Sequence, residues 1–294
     1  MFLPKKILEE KLRQMLAEDL GQGDTTSTLI VPEGCNAEAE VIAKEKGVAA
    51  GIEEAGILLE GLGLKFEALV ADGKQIKPKQ VLMKICGDAR TILAVERTLL
   101  NILSRMSGIA TTTRKIVEKV KKAGYKTIVA CTRKTAPGLL YFDKKAVLLG
   151  GGDTHRLHLD DMILIKDNHI RIVGDIEKAI RTAKEKASFS KKVEVEVSNI
   201  EEALAAAKAG ADIIMLDNFS PNQIERAIEK LREAGFLGKV LLEASGGITA
   251  ENVVAYASTG VDIVSLGELT DSPRALDVSL EITKIETRNL SLKK

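Results

Sequence analysis

The second half of the sequence predicts a parallel α/β fold, on three observations. Six short β-branched runs recur after residue 126: TIVAC (127–131), MILIK (162–166), VEVEV (193–197), DIIML (212–216), KVLLE (239–243) and DIVSL (262–266). Helical segments such as 200–209 and 221–234 fill the spaces between them, with short connections. Such alternation implies parallel strands joined by right-handed crossovers. The third observation is that charged and glycine residues gather where these strands end, the ligand-binding edge of parallel folds. Six units are fewer than the eight of a full barrel, so a smaller or irregular barrel and a doubly wound open sheet both fit.

The first hundred residues mix helix and strand without a repeating unit. Residues 5–19 alternate charged and apolar positions at helical spacing, which predicts a surface helix stopping near Gly21, not a signal peptide. AEAEVIAK (37–44), LKFEALV (64–70) and VLMKIC (81–86) predict three strands. Asp88 is a plausible cap for a long helix to about Met106, with Gly108 marking a break. Along that helix Ile92, Val95, Leu99, Ile102 and Met106 form one apolar seam, which Leu93 and Leu100 widen. Arg97 lies between those two leucines, with no acid three or four residues away to pair with it.

Composition narrows the function. A net charge of +1 gives no global field for nucleic acid or anionic membranes, and 3% aromatic residues leave little to stack on bases. No apolar run reaches membrane-spanning length. Cys35, Cys86 and Cys131 are odd in number and widely spaced, which argues against disulfides and structural zinc and for a reduced, cytoplasmic setting.

The strand ends supply a short roster. Thr132, Arg133 and Lys134 follow the first strand and Lys166 ends the second. Glu196 lies near the end of the third, and Asp217 follows the fourth. Ser245, Gly246 and Gly247 follow the fifth, and Gly267, Glu268 and Leu269 the sixth. The SGGIT step (245–249) leads toward a helix, and the last two strands are where barrels commonly bind phosphate. Glu196 and Asp217 end neighbouring strands and could share a hard cation such as Mg²⁺. The alternation in VEVEV also suits a half-exposed strand, and Asp217 also suits a turn.

All three histidines, His155, His158 and His169, lie between Gly150 and Ile170. Three leading glycines deny them a helical frame, and Arg156 and Lys166 would repel a metal. The same residues serve better as an anion socket, in which Arg133, Lys134, Arg156 and Lys166 are the cations and His155 a donor.

The motifs TRKTAPGL, GGGDTHRLHLDDMILIKDNH, EVEV, IMLDNF and LEASGGI, in this order, resemble the quinolinate phosphoribosyltransferase family. EDLGQGDTT, GVAAG and ERTLLNILSRMSGIAT upstream extend the likeness over about residues 18–272. The resemblance implies an N-terminal α/β sandwich domain (1–109), an incomplete α/β barrel of about six parallel strands (110–272), and a C-terminal helix (273–294) packing back on the first. It also implies phosphoribosyl transfer from phosphoribosyl pyrophosphate to quinolinate with decarboxylation, in a homodimer or a multiple of dimers.

By match, Arg133, Lys134, His155, Arg156 and Lys166 would hold the quinolinate carboxylates and neighbouring phosphates, with Arg97 entering from the partner subunit. Thr132 and Leu269 would adjoin the same site. Lys134, Glu196 and Asp217 would be catalytic, the two carboxylates serving the ribose and Mg²⁺. Ser245, Gly246, Gly247, Gly267 and Glu268 would line the phosphate end. The sequence departs from the family pattern at Leu140 and at Asp271, which adds a negative charge near the phosphate loop. Two rivals are a related protein of molybdenum-transport gene clusters and an aldolase-like barrel using Lys166 as a Schiff-base amine.

Overall fold

The computed structural model describes residues 3–286 and divides into two compact units. Among the described residues, one comprises 3–112, 148–150 and 273–286; the other comprises 113–147 and 151–272.

In the first unit, α1 (Lys5–Leu20) buries Leu8, Leu12 and Leu16, the four-residue spacing of one helical stripe. Helix α2 (Thr25–Ile30) follows, capped by Asp24, whose side chain accepts from Ser27 N–H. Next come β1 (Asn36–Ala43), β2 (Gly47–Val48), α3 (Ile52–Gly61), β3 (Lys65–Ala68), β4 (Gln75–Ile76) and β5 (Val81–Asp88). Strand β1 pairs antiparallel with β5, which pairs with β3. The expected C-terminal helix is a strand, Val278–Glu286, antiparallel to β1. Its apolar residues recur every second position (Val278, Leu280, Ile282), a strand period rather than a helical one. Residues 287–294 of that expected helix lie outside the described residues.

Helix α4 (Ala89–Lys122) contradicts the expected break at Gly108, running unbroken for 34 residues. Gly108 is there for space. A Cβ on it would lie 1.9 Å from the Arg274 carbonyl oxygen, so the backbone after Pro273 comes too close for any side chain.

The second unit contains β6 (Ile128–Cys131), α5 (Leu140–Gly150, except its last three residues), β7 (Ile163–Ile165), α6 (Asp167–Val173), α7 (Ile176–Lys186), β8 (Val193–Val197), α8 (Ile200–Ala209), β9 (Ile213–Asp217), α9 (Pro221–Glu233), β10 (Leu241–Ser245), α10 (Val253–Ala257) and β11 (Ile263–Leu266). The sheet order is β6-β11-β10-β9-β8-β7, all parallel. Each strand lies beside its predecessor except at one seam: the first strand, β6, sits beside the last, β11, instead of β7. An open doubly wound sheet would reverse direction partway. This cyclic order is a barrel interrupted between β6 and β7.

Local sequence sets the helix starts. Asn199 caps α8 by accepting from Glu202 N–H, and Gly210 ends it in the left-handed conformation. Ser220 and Gln223 form a capping box on α9, with Pro221 at the first helical position. In β8, Val193, Val195 and Val197 are buried, while Glu194 and Glu196 share the opposite face.

Candidate active site

A cavity of about 690 Å³ opens at the carboxyl ends of the barrel strands, and every residue lining it belongs to the second unit. Of the anticipated residues, Thr132, Arg133, Lys134, His155, Arg156, Lys166, Glu196, Asp217, Ser245, Gly246, Gly247, Gly267 and Glu268 line it together. Leu269 does not. Its side chain is wholly buried in a short turn, Gly267–Leu269, because an apolar residue after the rim glycine turns back into the core. Arg97 belongs to the first unit, exposed on α4, with no ion pair or hydrogen bond among the described residues.

Lys166 Nζ lies 2.6 Å from Glu196 Oε1, so one cation and one carboxylate of the rim are already paired. Lys166 is partly exposed and ion-paired rather than desolvated, which disfavours the Schiff-base rival. Arg156 is buried, and burial together with the Arg133 charge pulls it below the ordinary guanidinium range. Lys134 and Arg133 are exposed. These four cations share one cavity with four rim carboxylates, Glu196, Asp217, Glu268 and Asp271, a mixed-charge site in which fixed cations can meet substrate anions.

Asp217 ends β9 and accepts from Asn218 Nδ2 at 2.8 Å. Asn218 takes a positive φ of 58° and donates its N–H to the Ser245 carbonyl at 2.8 Å. Gly246, at φ 93°, abuts this turn: a Cβ there would lie 2.2 Å from Asn218 Oδ1. The SGGIT step differs from expectation in one respect. The helix that follows, α10, has five residues and starts only at Val253, so the step does not open directly onto a helix N-terminus. Glu268 accepts from Ala250 N–H at 2.8 Å, and Thr270 donates to the Lys134 carbonyl at 2.8 Å. These bonds tie the last rim loop to its two neighbours.

The three histidines part company. His158 and His169 are exposed; His158 N–H donates to Asp161 Oδ2, and His169 Nδ1 accepts from Lys166 N–H at the start of α6. His155 alone faces the cavity. Its Nε2 lies 3.1 Å from Glu243 Oε2 and 3.4 Å from Glu194 Oε2. Burial disfavours charge on this ring, while the two carboxylates raise its pKa by favouring a proton on the nitrogen that faces them. Burial, and Glu243 beside it, raise Glu194. Neither glutamate was anticipated from the sequence. The signal was available: each lies two positions before a rim residue, Glu196 or Ser245, and strand alternation puts it on the same inner face.

Comparison with known proteins then identifies the scaffold. Residues 109–281 match the family model for the C-terminal domain of quinolinate phosphoribosyl transferase, and residues 24–107 that for its N-terminal domain. A Methanocaldococcus jannaschii protein named as a probable nicotinate-nucleotide pyrophosphorylase (carboxylating) is 47% identical over 94% of this chain and 97% of its own. The rat nicotinate-nucleotide pyrophosphorylase (carboxylating) is 38% identical over 86% of this chain and 84% of its own. The solved nicotinate-nucleotide pyrophosphorylase of Francisella tularensis superposes with a TM-score of 0.87 at 40% identity, covering 96% of this chain and 98% of that one.

Proposed function

The chain belongs to the quinolinate phosphoribosyltransferase family, and from that premise we propose how its barrel mouth divides the work. The enzyme transfers the phosphoribosyl group of phosphoribosyl pyrophosphate to the quinolinate ring nitrogen. Pyrophosphate leaves, the carboxylate beside that nitrogen departs as CO₂, and nicotinate mononucleotide remains. The observation that carries the assignment of roles is the convergence of Arg133, Lys134, Arg156 and Lys166 on one cavity that Ser245, Gly246 and Gly247 also line. A dicarboxylate and a diphosphate repel each other in a confined site unless fixed cations offset both.

Quinolinate lies on the arginine–lysine side with His155, and the phosphate lies over Gly246, Gly247 and Gly267, with Ser245 and Glu268 at its edge. Lys166 exchanges part of its pairing with Glu196 for a substrate carboxylate. Glu196 then faces the anomeric carbon, where positive charge grows as pyrophosphate departs. Once glycosylated, the ring nitrogen is cationic and accepts the electron pair released by the departing carboxylate, so decarboxylation depends on positioning. Lys134, with its backbone N–H on Thr132 Oγ1, is placed to neutralise the leaving diphosphate.

Glu196 and Asp217 are hard oxygen donors on adjacent strands, a set that fits Mg²⁺ when phosphate oxygens and water complete the shell. Bound there, Mg²⁺ would neutralise diphosphate charge. We assign Arg97 to the partner subunit's site in a homodimer, because it is an exposed cation with no partner on its own helix. Three free cysteines suit a cytoplasmic enzyme. The test is incubation with quinolinate, phosphoribosyl pyrophosphate and Mg²⁺, following nucleotide and CO₂. Product should require all three, and no product in the complete mixture would reject the reading.

A further inference from the structure

Glu194 and Glu243 are both wholly buried inside the barrel, beneath the rim. Both oxygens of Glu194 and Oε1 of Glu243 lack a hydrogen-bond partner among the described residues. Two buried carboxylates so placed are costly unless a donor compensates them. The one ring donor at their oxygens is His155 Nε2, 3.1 Å from Glu243 and 3.4 Å from Glu194. The ligand atoms of these three side chains lie within 4.8 Å of one another, a spacing that would also admit a metal ion.

The other ring nitrogen decides between the two. Arg156 N–H donates to His155 Nδ1 at 2.8 Å, so Nδ1 is an acceptor and the ring proton sits on Nε2. A metal on Nε2 would leave a ring with no proton at all, a disfavoured imidazolate. A proton on Nε2 instead bonds Glu243 Oε2 and lies within ion-pair reach of Glu194 Oε2.

The bend carrying His155 is held from its other side too. Asp153 lies beside β6, its N–H on the Val129 carbonyl and its own carbonyl accepting from Cys131 N–H. Asp153 Oδ1 accepts from His155 N–H at 2.7 Å, and the buried Lys144 donates to the Thr154 carbonyl at 2.5 Å. His155 itself takes a positive φ of 51°, a backbone state a histidine keeps only when its surroundings hold it there.

We infer that Glu194 and Glu243 are positioning residues for the quinolinate end of the site, anchoring the Nε2–H of His155 and, through Nδ1, the backbone that presents Arg156. This rests on the phosphoribosyltransferase reading above. The carboxylate pair faces inward from β8 and β10, across the barrel from the gap that the Asp153–Arg156 bend occupies. Sheet and bend are thereby coupled through one imidazole. Quinolinate binding depends on that coupling, and diphosphate binding at Gly246 and Gly247 does not.

Two measurements test it. The first reads the site in the unaltered protein: ¹⁵N spectra of histidine-labelled protein contain three side chains, and a His155→Gln sample serves only to assign the His155 signals. Its Nε2 should be protonated and slow to exchange. A bare Nε2, with the proton on Nδ1, would overturn the proposal. The second compares Glu243→Leu with Glu243→Gln in steady-state kinetics. Glu243→Leu should raise the quinolinate KM by about tenfold or more, the loss expected when a buried donor goes unpaired. The KM for phosphoribosyl pyrophosphate should stay within a factor of about two of the parent, a shift of a few tenths of a kcal/mol. Glu243→Gln, whose amide oxygen can still accept from Nε2–H, should recover most of the loss. An unchanged quinolinate KM in folded Glu243→Leu, or equal rises for both substrates, would refute it. An inactive parent enzyme would instead count against the family reaction, so the two failures stay separate.

Discussion

Glu196 carries two obligations at once. It pairs with Lys166 at 2.6 Å, and in the proposed mechanism it also faces the carbon where the ribosyl cation develops. Replacing it with glutamine keeps size and hydrogen bonding but removes the charge. Turnover should fall by about a hundredfold, the usual cost of losing one electrostatic partner of a transition state. The quinolinate KM should move far less, because Lys166 is then free to bind the substrate carboxylate. Steady-state kinetics separate these outcomes, and an intact turnover with a large rise in quinolinate KM would reverse the assignment. Most rim residues were legible because strand ends in a parallel fold are a short list and their charges stood out. Glu194 and Glu243 were not, because a charged residue inside an apolar run looks solvated until its strand is seen to face a barrel interior.

Among the elements, the six barrel strands lie within two residues of their predicted positions, since β-branched runs bounded by helical segments leave little freedom. The errors came from reading a residue by its commonest use. Gly108 looked like a helix stop, yet α4 passes through it because the chain after Pro273 packs against that position. Gly108→Ala should therefore destabilise the first unit by about 1–3 kcal/mol, the range for overpacking a tight contact, even though alanine is the better helix former. Urea denaturation gives the value, and a stabilised variant would show that the glycine serves flexibility instead. Gly246 makes the same argument at the site. Its positive φ and the nearby Asn218 leave no room for a Cβ. Gly246→Ala should raise the KM for phosphoribosyl pyrophosphate and leave that for quinolinate nearly unchanged.

At the scale of the molecule, Arg97 is the test of assembly. It stands exposed on α4 without a partner among the described residues, on a helix whose seam of Ile92, Val95, Leu99 and Met106 is buried. Arg97→Ala and Lys134→Ala should each be inactive alone. Mixed under conditions that exchange subunits, they should regain activity, because a hybrid dimer holds one intact site. Verified hybrids without recovery would place Arg97 outside the site.

The central claim is that the cavity is charged for two carboxylates and a diphosphate together. Catalytic efficiency with quinolinate against nicotinate addresses it most directly. Nicotinate lacks the second carboxylate and would leave a cation of the Arg133, Lys134, Arg156, Lys166 set unmatched, a loss of about 2–5 kcal/mol or more. Quinolinate should be the preferred substrate by at least about thirtyfold, with one CO₂ released per nucleotide formed. Equal efficiency with nicotinate would contradict the account.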